Sequence, residues 1–236
     1  MHQIRISPEA KAYAVAQRGG KEHMFEQLDM ARTAHVVVDM QNGFLEPGAP
    51  VEVPAAREIV PNVNAISRAV RDGGGAVVFL QMSLDRAAMQ AWSTWFQFFH
   101  TPQSTAGFEA SFGHGRHYWE LWPQIETAEG DLYVDKARFG AFVPGASDLH
   151  EILQARGIDT LIVSGTLSNC CCESTARDAM QMNYKLIFVS DSNAALTDAA
   201  HNATLDNMCM IFADVRPTSE VLEVIRRSAR APVAAE

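Results

Sequence analysis

The chain has 236 residues, of which 47% are hydrophobic and 20% charged, a balance that excludes collagen-like, disordered and disulfide-scaffold classes. Its formal charge of −9 at pH 7 repels a phosphate backbone and an anionic membrane surface, so nucleic acid and membrane are disfavoured as partners and a small molecule is expected. No apolar run nears the ~20 residues of a membrane helix, and MHQIRISPEAKAYA lacks the apolar stretch of a secretory signal, so a cytoplasmic location is expected.

In chain order, residues 1–30 are polar and helix-prone over PEAKAYAVAQ (8–17) and read as an N-terminal arm. The domain proper is expected over 31–229. AHVVVDM (34–40) is the first strand candidate, followed by a helix over 55–71 that the DGGG of 72–75 closes before AVVFLQM (76–82). Residues 83–130 break this rhythm and hold all four tryptophans, Trp92, Trp95, Trp119 and Trp122. This aromatic-rich insertion suits a pocket wall, a subunit interface or a satellite apolar cluster. After it come DLYVDK (131–136), a helix over 146–156, DTLIVSG (159–165), a helix over 171–182, KLIFVSD (185–191), a helix over 196–206, MCMIFADV (208–215) and a helix over 217–229. The last residues, 230–236, read as a mobile tail.

The strand candidates are continuous rather than alternating, as strands buried on both faces are. Their alternation with helices predicts an α/β fold: a doubly wound, Rossmann-like, mostly parallel six-stranded sheet with helices on both faces. Sites in such sheets lie beyond the carboxyl ends of the strands. Three of those ends carry reactive side chains: Asp39 after VVV, Lys136 after LYVD, and Cys171 past LIVSGTLSNC. A strand-to-helix junction suits a thiol nucleophile, because the positive helix end can lower a cysteine pKa from ~8.5 to roughly 3.5–7.5. Taken singly, each has a plainer role: a loop anchor for Asp39, a solvated charge for Lys136, a small core residue for Cys171.

The four cysteines do not form a disulfide framework or a zinc site, because Cys170, Cys171 and Cys172 are consecutive. Successive helical residues project about 100° apart, so at most one of the three can face a site. Cys209, in the last strand candidate, reads as core.

Together these segments resemble the isochorismatase-like cysteine hydrolases. VVVDMQNGF (36–44) looks like the first-strand motif of that family, VDKARFGAF (134–142) like its lysine motif, SGTLSNCCCESTARDA (164–179) like its nucleophile motif, and VSDSNAA (189–195) like the segment after the next strand. The resemblance implies that Asp39 is the base, Lys136 the third member of a triad and Cys171 the nucleophile. It also implies a cis peptide at Thr166–Leu167, with the N–H groups of Leu167 and Cys171 forming an oxyanion hole. No metal or organic cofactor is implied, and relatives are commonly homo-oligomers. Among substrates, the thiol and the NxCxESTxRD pattern favour C–N hydrolysis of an amide, ureido or carbamoyl compound over cleavage of a vinyl ether. The nicotinamidase metal motif has no counterpart in QMSLDRAAMQ (81–90), which lacks histidine.

Candidate substrate contacts are Gln41, Asn42 and Phe44 after Asp39, and Arg138, Phe139 and Phe142 after Lys136. Arg138 could pair with a substrate carboxylate or form a structural salt bridge, and Phe44 and Phe142 have core as their alternative. His100, His114 and His117 read as surface or interface histidines rather than metal ligands. A thiol redox sensor would leave Asp39 and Lys136 without a role, as would a non-catalytic interaction module. A dinucleotide site is disfavoured, since no GxGxxG opens the helix after the first strand.

Overall fold

The computed structural model describes residues 1–230. Residues 231–236, the greater part of the expected tail, lie outside them. Six strands form one sheet: β1 (Thr33–Val38), β2 (Ala76–Met82), β3 (Leu132–Lys136), β4 (Thr160–Thr166), β5 (Lys185–Ala194) and β6 (Asp214–Arg216). All pairings are parallel, in the order β3-β2-β1-β4-β5-β6. The chain starts at the centre, builds outward through β2 and β3, then returns to the other side of β1. The order therefore reverses between β1 and β4, where a crevice opens beyond the strand ends.

Every residue of β1 and β4 is buried, which is why these segments read as unbroken apolar runs. Helix α1 (Pro8–Gln17) lies in the arm, and a short α2 (Asn42–Leu45) follows β1. Helix α3 (Ala56–Asp72) joins β1 to β2, α7 (Leu149–Ala155) precedes β4, and α8 (Glu173–Gln181) joins β4 to β5. Helices α9 (Asp198–Asn207) and α10 (Thr218–Arg230) complete the chain. Right-handed crossovers that run in opposite directions from the centre put α3 and α8 on opposite faces of the sheet. The insertion holds α4 (Arg86–Ala91), α5 (Ser93–Phe98) and α6 (Pro102–Phe112).

One expectation needs correction, and a second takes a definite form. Residues 208–215 are not one strand. Met208–Phe212 continue α9 as a wide, π-type turn, and only Asp214–Arg216 pair with β5. Apolar runs this short fit a buried helical turn as well as a strand. Cys209 is thus a buried residue of that turn rather than of a strand. The arm, secondly, is docked: Ala10 and Ala14 of α1 are buried, and the Arg18 guanidinium donates to the carbonyls of Cys209 and Ala213.

No helix among the described residues is long and apolar enough to cross a membrane.

Candidate active site

Asp39 is the residue after β1, and its backbone φ is +51°. An aspartate tolerates this left-handed conformation better than most residues. Its N–H is held by the carbonyl of Leu80 at 2.9 Å. Lys136 ends β3, two strands away, a gap of about 9.6 Å at ordinary strand spacing. Its side chain crosses the end of β2, so that Nζ lies 2.9 Å from Asp39 Oδ2 with both side chains fully buried. Nζ also donates to the carbonyl of Arg138 at 3.1 Å. Burial alone would lower the ammonium's pKa, but Asp39 and Cys171 facing it raise it on balance. Burial likewise pushes the Asp39 carboxyl up, against the pull of Lys136.

The thiol arrives from the other side of the switch point. Strand β4 can approach β1 this closely because Gly165, at φ +125°, has no side chain. A Cβ there would overlap the Val38 carbonyl oxygen and sit 2.7 Å from the Val38 nitrogen. The peptide Thr166–Leu167 is cis, and the next five residues, Ser168–Cys172, form a π-type turn ahead of α8. Cys171 therefore lies inside this turn and is 2% exposed. Asp39, Lys136 and Cys170 all lie near enough to act on its thiol proton. Neither Asp39 oxygen has a well-aligned hydrogen-bond donor among the described residues, so the carboxylate has lone pairs open to that proton.

The thiol environment differs from expectation. The hydrogen bond to Cys170, burial and the Asp39 charge together push the Cys171 thiol well above its ordinary value, with Lys136 opposing them. A helix end lowers a thiol pKa where the thiol is partly solvated; here desolvation and a facing carboxylate outweigh it. Cys172 is fully buried and Cys170 partly exposed. The three cysteines thus do project in different directions.

The expected substrate contacts mostly hold the scaffold. The Gln41 amide donates to the carbonyls of Met82 and Trp119 and accepts from the Met82 N–H. Asn42 donates to the His117 carbonyl. Phe44 is 5% exposed and packs on Phe112, so it is core. Arg138 donates to the carbonyls of Ala137 and Ala91 and lies over the Trp92 ring at 5.1 Å. It makes no salt bridge among the described residues, and its Nε–H is not engaged by these bonds. Phe142 packs on Tyr184 and His150. Of the six, Phe139 is the one that joins an aromatic wall, edge-on to Trp92 and Trp95.

The two halves of the insertion behave differently. Its helices build an aromatic cluster of Trp92, Trp95, Phe96, His100 and Phe108, and a cavity of about 590 Å³ beside it is lined by none of Asp39, Lys136 and Cys171. Its second half is laced onto the Asp39 loop by Asn42 N–H to Glu120, Gly43 N–H to Tyr118 and Trp122 N–H to Met40. A smaller cavity, about 300 Å³, is lined in part by Lys136, with Ser83, Asp85, His114 and Asp135 around it. His114 pairs with Asp135 and His117 with Glu46.

Sequence reasoning missed two residues that support the turn carrying Cys171. Ser168 Oγ lies 2.7 Å from His201 Nδ1, and both residues are fully buried. The signal available was a lone histidine within the 196–206 helix, which periodicity cannot tell from a core residue.

The Isochorismatase domain family profile matches residues 33–220. The chain belongs to the isochorismatase family. Within it, the chain is 30% identical over 200 residues to an uncharacterized isochorismatase family protein, YwoC, of Bacillus subtilis, covering 84% of this chain and 97% of that one. It is also 30% identical over 185 residues to the ureidoacrylate amidohydrolase RutB of Variovorax paradoxus, covering 73% of each. A crystal structure of a cysteine hydrolase from Pseudomonas syringae pv. phaseolicola superposes with a TM-score of 0.76 at 27% identity, over 85% of this chain and 95% of that one. The family match begins at Thr33, so the docked arm lies outside it, and the aromatic insertion lies within it.

Proposed function

We propose that this isochorismatase-family protein is a cysteine-dependent amidohydrolase that cleaves a C–N bond of a small amide, ureido or carbamoyl compound through an acyl-thiol intermediate. The observation that carries the reading is the buried constellation itself: an ammonium 2.9 Å from a carboxylate, and a buried thiol on which both of those charges act. The ureidoacrylate amidohydrolase and cysteine hydrolase among its relatives support the C–N bond and the thiol.

At rest the proton stays on sulfur, because the surroundings raise the thiol's pKa. Asp39 takes it as the sulfur attacks the carbonyl carbon, so that thiolate exists only while a bond is forming. The carbonyl π electrons move to oxygen, and the N–H groups of Leu167 and Cys171 receive the oxyanion. The C–N bond then breaks and the amine leaves with the proton held by Asp39. Water, deprotonated by Asp39, attacks the acyl-thiol carbon; the sulfur leaves and regains its proton. Lys136 stays protonated throughout and balances one negative charge, whether that charge rests on the carboxylate or on sulfur. Phe139 with Trp92 offers an apolar wall for the substrate body. A homo-oligomer is part of the same proposal, because the insertion leaves Phe98 and Phe99 exposed at 78% and 74%.

The test is ammonia release from a panel of small amides, ureido acids, biuret and nicotinamide, run beside Cys171→Ala. Release that vanishes in the variant supports the reading; turnover of equal rate in Cys171→Ala refutes it.

A further inference from the structure

Residues 2–7 lie along α9, and the terminal ammonium of Met1 pairs with Glu58 of α3. Asp198, Asn202 and Asp206 recur every four positions and so share one helix face. That face meets the chain repeatedly: Asp206 accepts from the Ser7 N–H at 2.7 Å, Asn202 accepts from the Arg5 N–H and donates to the Gln3 carbonyl, both at 2.9 Å, and Asp198 lies 2.7 Å from His2 Nδ1. At the end of this strap the His2 ring is buried to 6% exposure. Its Nε2 accepts from the Ala195 N–H at 2.9 Å, so its proton is on Nδ1 and points to Asp198.

The His2 ring is stacked on His201, centroids 4.4 Å apart and planes 16° from parallel. His201 in turn has both nitrogens committed. A carbonyl can only accept, so Nε2, 3.0 Å from the Ser190 oxygen, carries the proton. Burial lowers the His201 pKa to about 4, the neighbouring His2 adding to that effect, so the ring is neutral and Nδ1 accepts the Ser168 hydroxyl proton. Ser168 opens the turn that carries Cys171.

We propose that the N-terminal strap is a positioning device for the nucleophile: His2, seated on Ala195 and Asp198, fixes the His201 ring, and His201 fixes Ser168 and with it the turn that aims Cys171 at Asp39. His2, His201 and Ser168 are positioning residues and touch no reacting atom. The inference rests on Cys171 being the nucleophile. It goes beyond the family match, because the strap precedes residue 33.

The test compares full-length wild type with His2→Ala, His201→Leu and His201→Gln. Glutamine keeps an acceptor for Ser168 and a donor for Ser190, whereas leucine keeps neither. Two readouts are followed: kcat and KM with the substrate found above, and the pH dependence of iodoacetamide alkylation at Cys171, located by tandem mass spectrometry. Loss of one buried hydrogen-bonded support predicts a kcat about fivefold to tenfold lower in His2→Ala and His201→Leu, with KM changed by less than about twofold. Release of the turn also lets Cys171 drift from Asp39, so its alkylation midpoint falls toward the ordinary thiol value of about 8.5. His201→Gln restores both readouts, which general destabilisation would not do. Unchanged kcat and midpoint in His2→Ala and His201→Leu, with turnover still dependent on Cys171, overturn the strap alone. Turnover independent of Cys171 overturns the nucleophile assignment instead.

Discussion

Replacing Lys136 with methionine keeps an unbranched stem and removes the charge that faces Asp39. The two groups are 2.9 Å apart and both fully buried, and stripping a buried charge of its partner costs about 3–5 kcal/mol. Asp39 relieves that cost by keeping its proton, which converts the loss into a pH dependence. Burial already raises this carboxyl, and without Lys136 the rise is larger. A carboxyl raised on folding contributes full stability below its unfolded pKa of about 3.9 and loses it as pH rises, at about 1.36 kcal/mol per pH unit. Across about pH 5 to pH 8 the variant therefore falls behind wild type by about 1.36 kcal/mol for each pH unit by which its carboxyl is raised beyond the wild type's, up to about 3–5 kcal/mol. That lies below a typical total stability of about 5–15 kcal/mol, so the variant folds. Urea unfolding across this range, on wild type, Lys136→Met and Asp39→Asn/Lys136→Met, measures it. The gap between wild type and the single variant is expected to widen with pH, and the double variant to run parallel to wild type. A constant gap in the single variant would refute the reasoning.

Other perturbations reach other parts of the site. Cys171→Ala is expected to abolish turnover with the melting temperature nearly kept, while Cys170→Ala retains turnover; steady-state kinetics and thermal melts separate the two. Gly165→Ala brings a methyl group into the Val38 backbone, and a loss of several kcal/mol or failure to fold is expected, read by urea unfolding; a variant of wild-type stability would show that the strands can separate there. Arg138→Ala removes bonds to two carbonyls and a contact on Trp92, so it should lower stability by about 1–3 kcal/mol without raising KM selectively for carboxylate-bearing substrates. Acid also acts on His35, fully buried between Ser67 and Ser164, whose pKa burial lowers to about 3. A histidine depressed on folding contributes stability above about pH 6.5, the unfolded value, and loses about 1.36 kcal/mol per unit as pH falls toward the folded value. His35→Gln should flatten that part of the unfolding profile.

Five of the six strands were legible because parallel strands buried on both faces leave long apolar runs. The sixth was not, because MCMIF spends its apolar side chains on a helical turn and the strand beyond it has three residues. Asp39, Lys136 and Cys171 could be singled out because each lies at or beyond a strand end, and the structure seats Lys136 against Asp39. The contacts around them were not legible, for a common reason. Gln41 bonds to Trp119, Arg138 to Ala91 and Ser168 to His201, partners far apart in sequence, which no local pattern records. The thiol's pKa direction was misjudged for a related reason: burial is a property of the assembled fold, whereas a helix end can be read locally.

The reversal of strand order between β1 and β4 divides the chemistry as well as the sheet. The carboxylate and the ammonium come from the β1-β2-β3 side, and the thiol with its turn from the β4-β5-β6 side. On the mechanism proposed above, a chain cut in the loop between β3 and α7 would give one fragment with a charge pair lacking a nucleophile and another with a sulfur lacking a base. Recovery of turnover on mixing the two would report complementation across the β1–β4 seam, making catalysis a coincidence signal for the finished sheet.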